Sequence, residues 1–165
     1  MADDIWILGD QVIRVSFDTK GYTFYKGGKG IPGEPMEKYS QLVAVKGDDK
    51  VLIPTIPDLK GRVAIKSAEE ALDFVRLFTA PETHYLFHDS RYIEPTAEEQ
   101  RDMNLALKPV TYKETNGSFA IERNLVSRDG KLVRATERVT AEGDYSLEAT
   151  EVVDEHSPIP YPLYQ

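Results

Sequence analysis

The segment THYLFHD, Thr83 to Asp89, sets His84 and His88 four residues apart with a carboxylate beside the second. On a helix the two imidazoles would lie one turn apart and could share a metal ion. On a strand they would share a face yet stand roughly 13 Å apart, at ~3.3 Å per residue, too far to chelate one ion. Tyr85, Leu86 and Phe87 favour strand, and Pro81 stops the helical pattern before them. The expectation is a strand with Tyr85 and Phe87 facing the core, and no metal. Zero cysteines exclude a disulfide framework, a thiolate zinc site and a cysteine nucleophile.

A second set of reactive groups emerges from strand pairing. Arg123, Glu137, Glu114 and Glu151 fall on the otherwise apolar face of a C-terminal meander, with Tyr112 and Tyr145 nearby. Buried charges must pair, because one left alone costs about 3 to 5 kcal/mol. Arg123 and Glu137 are expected as a structural ion pair, or else as the lining of a small-ligand pocket in which Glu137 serves as acid or base. The stretch GKGIPG, Gly28 to Gly33, formally matches a dinucleotide-site pattern, but Pro32 and Pro35 interrupt it and no helical pattern follows. A glycine-rich surface loop is expected there. No G-x-S-x-G, H-E-x-x-H or P-loop lysine motif occurs, and no cofactor is implied.

The elements that must position these groups divide at about residue 66, before which eight of the eleven glycines lie. The first part reads as short strands: Ile13, Val15 and Phe17 alternate with polar neighbours, Tyr22 to Tyr25 follow a glycine, and GRVAIK forms another. Leu42 to Lys46 and Val51 to Thr55 flank GDDK as a hairpin whose second arm, carrying Pro54 and Pro57, is an edge or ends there. Ser67 and Glu70 form a capping-box pattern before a helix over 68–79, with Ala68, Ala71, Leu72, Val75 and Phe78 on its apolar face. Thr96 and Glu99 open a short polar helix over 97–105.

Three turns, TNGS, SRDGK and TAEGD, then separate four alternating runs. A three-residue loop with Gly130 left-handed pairs Leu125 with Val133 and Phe119 with Val139; the two-residue alternative would set Leu125 against Arg134. The same loop around Gly143 pairs Val139 with Tyr145 and Ala135 with Ala149. One inner face results: Val110, Tyr112, Phe119, Ile121, Leu125, Val133, Ala135, Val139, Tyr145, Leu147, Ala149 and Val153. The opposite face, with Lys113, Glu122, Asn124, Arg134, Arg138 and Glu148, reads as solvated over most of its length. An apolar patch of Val126, Leu132 and Val152 interrupts it. The expected fold is α+β, a single domain over 1–156 whose four-stranded antiparallel meander is covered on one face by the 68–79 helix. Its layout is similar to cystatin-like and other cone-shaped α+β architectures, a likeness that carries no function.

The tail over 157–165, HSPIPYPLYQ with its preceding histidine, alternates proline with apolar residues and favours an extended path. Ile159, Tyr161, Leu163 and Tyr164 are its candidate contacts, either with the outer patch or with a partner. The formal charge of −8 argues against a nucleic-acid partner. Residues 1–66 carry ten basic and nine acidic groups, so the acidic excess belongs to the remainder. No apolar run reaches the ~20 residues of a membrane span, and MADDIWILGD lacks the pattern of a signal peptide. A soluble chain is expected, with its compartment left open: the cytoplasm is slightly favoured, and a mature secreted form fits the same residues. The functional expectation is a non-catalytic recognition module with a protein partner, an acidic inhibitor- or immunity-type protein being one form of it. The alternative is a small-molecule-binding protein or enzyme using the concave sheet face.

Overall fold

A computed structural model describes residues 5–30, 41–79, 91–103 and 107–161. His84, His88, Leu163 and Tyr164, and with them the strand expected at THYLFHD, lie outside the described residues. Among these residues the architecture is broadly α+β, with two antiparallel sheets and two helices. No helix among the described residues is long and apolar enough to cross a membrane.

The first sheet runs in the order β1 (Ile5–Ile13), β2 (Thr23–Gly30), β3 (Gln41–Lys46), β4 (Asp49–Ile53). The GDDK hairpin closes with Lys46 opposite Asp49 and Gly47 at φ +59°. β4 ends at Ile53, before Pro54, and Pro57 enters a 3₁₀ turn over Ile56–Leu59. Three sequence expectations are corrected here. β1 occupies the unpatterned run IWILGDQVI and stops at Ile13; Val15 and Phe17 lie beyond it, and Phe17 instead packs edge-on against Phe74 at 5.5 Å. GRVAIK forms a single bridge, Asp18 to Ala64, and no continuous strand. Gly28 and Gly30 are buried inside β2 and not in a surface loop. Glycine is required in this run because β1 passes so close that a Cβ on Gly27 would collide with the Ile7 carbonyl oxygen.

The second sheet is built on β7 (Ser118–Ser127), which pairs with β8 (Leu132–Thr140) on one side. On its other side lie β6 (Thr111–Thr115) and the two-residue β5 (Tyr92–Ile93), and β9 (Tyr145–Asp154) pairs with β8 as an edge. Leu125 opposes Val133, Phe119 opposes Val139 and Val139 opposes Tyr145, with Gly130 and Gly143 both at φ +85°. This is the geometry the three-residue loops require.

Beyond Leu147 the register departs from expectation. Glu137 still opposes Leu147, but Thr136 opposes Ala149 and Ala135 opposes Thr150, so Glu148 is an extra residue in β9. A second shift leaves Val152 opposite Val133 and Asp154 opposite Leu132. Each bulge exchanges the faces of every later residue. Val152 is thereby carried out of the outer patch, Glu151 moves opposite Arg134 on the outer face, and Ala149 and Val153 are exposed. Tyr112 and Glu114 keep their pairing with Ile121 and Phe119 but are exposed as well. The outer face is also less solvated than expected, because Asn124 is buried against the Lys108 carbonyl, which Arg134 also engages.

Helix α1, Ala68–Arg76, stops three residues short of expectation and forms only half of its capping box, the Ser67 hydroxyl accepting the Glu70 amide at 3.1 Å. Helix α2 is shorter than expected, Ala97–Asp102, and carries the full Thr96/Glu99 capping box. Phe74 and Val75 of α1 share one core with Phe24, Leu42 and Ile53 of the first sheet and with Phe119, Ile121 and Val139 of the second. The 68–79 segment therefore packs against both sheets. A smaller cluster joins Leu125, Val133 and Ala135 with Tyr92 and Leu147.

Candidate functional site

In the observed register Arg123 lies opposite Ala135 and Glu137 opposite Ile121, so the two charged residues are diagonal neighbours on one face. That face is the buried one, and Arg123 is 0% and Glu137 1% exposed. The Arg123 Nε donates to Glu137 Oε1 at 2.5 Å and its Nη2 to Oε2 at 3.0 Å, a two-pronged pair. Its Nη1 donates to Glu94 Oε2 at 2.8 Å and to the Thr79 hydroxyl at 2.6 Å, and Nη2 reaches the Val75 carbonyl at 3.4 Å. The five N–H groups of a guanidinium are thus all occupied.

The carboxylates are equally committed. Tyr145 donates its hydroxyl to Glu137 Oε2 at 2.6 Å. Glu94, itself buried, accepts from Arg76 Nη2 at 2.8 Å and from Arg76 Nε at 3.0 Å. Two arginines and two glutamates sum to zero charge, which is what makes burial tolerable. Burial alone works against a charged Arg123. The Glu137 carboxylate, by its charge and hydrogen bonds, and then Glu94 outweigh it and raise the guanidinium's pKa above its ordinary value. Arg76, with its side chain 40% exposed, is where the network meets solvent.

Each position follows from local structure. Arg76 closes the last turn of α1 and Thr79 stands three residues on, its hydroxyl also donating to the Val75 carbonyl at 3.1 Å. Glu94 follows β5 directly, and its amide donates to the Thr79 carbonyl at 2.8 Å. The network therefore ties α1, the β5 segment, β7, β8 and β9 together. Sequence reasoning brought together Arg123, Glu137 and Tyr145 but not Glu94, Arg76 or Thr79. Tyr112 is 47% exposed and stands apart from the cluster. Chemically, the arrangement is a clamp: Arg123 has no lone pair to offer, and Glu137 is held by three donors.

On the opposite face of the sheet Ile159 packs against Val126, Leu132 and Ile93, with Met103, Leu107 and Tyr161 at the margin. Ser157 starts this path by donating its amide to the Gly130 carbonyl at 2.7 Å, and its hydroxyl accepts the Ile159 amide at 3.1 Å. Ile159 covers Val126 and Leu132, while Val152 is 44% exposed and takes no part. Beside this contact a groove of about 620 Å³ opens, lined by Glu99, Asp102, Met103, Asp154, Pro158, Ile159 and Pro160. Among the described residues no group of three or more His, Asp or Glu could hold a metal ion. No family model, curated protein or solved structure matches this chain.

Proposed function

We propose that the chain is a non-catalytic recognition module for a protein partner, binding at the groove beside α2 and the docked tail. The observation that carries this reading is the closure of the Arg123–Glu137 cluster. A catalytic or ligand-binding mouth there needs an unfilled cavity and a group free to bind or transfer a proton, and both residues are buried with their polar atoms engaged. The acidic excess outside residues 1–66 suits a partner with a basic surface, as an inhibitor- or immunity-type protein would have.

A second reading, a small-molecule-binding protein or enzyme on the concave sheet face, draws on Tyr145. Its ring is half-buried while its hydroxyl reaches Glu137. Native mass spectrometry of gently purified protein separates the two. A retained polypeptide supports recognition. A retained small molecule lost on Glu137→Gln would replace it with the second reading.

A further inference from the structure

We infer that the groove between α2, the end of β9 and the tail receives a cationic, partly apolar segment of a polypeptide. This rests on the recognition reading above and names its partner's chemistry. The groove's volume, about 620 Å³, lies within the ~300–1,000 Å³ of typical binding clefts. Its lining side chains comprise three carboxylates, a thioether, an aliphatic chain and two prolines. None of them donates a hydrogen bond. Pro158 and Pro160 lack an amide hydrogen, the Ile159 amide is taken by Ser157, and the Met103 amide by the Glu99 carbonyl. A lining that only accepts is matched by a segment rich in N–H donors.

The carboxylates narrow that class further. Glu99 Oε1 accepts from the Thr96 amide and Asp154 Oδ1 from the His156 amide, each at 2.9 Å, and each carboxylate has a second oxygen that can accept. Among the described residues no basic side chain lines the groove to neutralise them. Met103, Ile159 and the proline rings supply apolar surface between them, and lysine or arginine stems lie well on such surface with the charged head at the rim. An anionic or lipid-headgroup ligand would meet three like charges with no donor to hold it.

The test uses the full chain and a dansyl-labelled decapeptide in which lysines alternate with leucine and proline, read by fluorescence anisotropy. Matched peptides carry glutamine or glutamate in place of lysine. The lysine peptide should bind alone, about tenfold more weakly to the Asp102→Asn/Asp154→Asn protein, and more weakly again as salt rises. Met103→Lys, a like charge set in the groove, should produce the same loss through a different residue. Thermal melts should show both variants folded. Equal binding of the glutamine peptide, or indifference to both variants, overturns the cationic partner while leaving recognition at the groove standing. Failure of all three peptides to bind overturns the groove itself, and the native mass spectrum then decides recognition independently.

Discussion

Replacing Arg123 by leucine isolates the energetic role of the buried clamp. Glu94 keeps Arg76, and the Thr79 hydroxyl keeps the Val75 carbonyl. Glu137, 1% exposed, is left with the Tyr145 hydroxyl as its only remaining donor of the three. A buried carboxylate deprived of its cation costs about 3 to 5 kcal/mol. In a chain of this size that lowers the melting temperature by about 6 to 20 °C, at ~2 to 4 °C per kcal/mol. Replacing the whole pair, Arg123→Leu with Glu137→Met, strands no charge and should fall within about 2 kcal/mol of the parent. Urea unfolding followed by circular dichroism measures both, and the cycle should give a coupling of about 2 kcal/mol or more. A single variant within ~1 kcal/mol of the parent, or a double variant no more stable than the single, would refute the clamp.

Gly130→Ala and Gly143→Ala should differ although both sites have φ +85°. Nothing lies near the first, so unfolding should show only the left-handed penalty of about 1 to 2 kcal/mol, whereas at the second a Cβ would sit 2.5 Å from Val63 Cγ2 and should add about 1 to 3 kcal/mol of overpacking. Removing residues 157–165 deletes the buried Ile159 and uncovers Val126 and Leu132, which should lower stability by about 2 to 4 kcal/mol in a denaturant titration; an unchanged midpoint would mean the docked tail adds nothing. The hydroxyl of Ser127 holds the Asp129 carboxyl below its ordinary value, with Lys131 assisting. Its stabilising contribution is therefore present above the unfolded carboxyl's range and lost as pH falls through the lowered folded value, and an NMR titration of Ser127→Ala should move Asp129 upward.

What could be read beforehand depended on hydrophobic contrast. The β7–β8 register was legible because a slip of one residue would have driven Leu125 against Arg134, and the observed pairing avoids that. In β9 the stretch LEATEVV offers no such contrast, and most of it is exposed on both faces, so its sequence holds no record of two bulges. Every displaced assignment, Ala149, Glu151, Val152 and Val153, lies beyond the first bulge. β1 escaped notice for the opposite reason, being apolar without alternation from Ile5 to Leu8. The Arg123–Glu137 diagonal came from register alone. Glu94 could not, because a two-residue strand before Pro95 leaves no period to detect.

The two bulges on β9 also bear on how this protein behaves when crowded. β9 is ten residues long and, among the described residues, lies at the outer edge of its sheet. A regular edge of that length offers a row of unpaired amides and carbonyls to any neighbouring chain. Here the extra residues at Glu148 and Val153 interrupt the row twice, and Glu148, Glu151 and Asp154 add like charges along it. An incoming strand meets a short stretch in step with itself, then a break in phase. A strand added along β9 would stay in step with it only over short stretches. Without Glu148 the pairing with β8 would run in a single phase from Tyr145 to Val152, and that half of the protection would be gone.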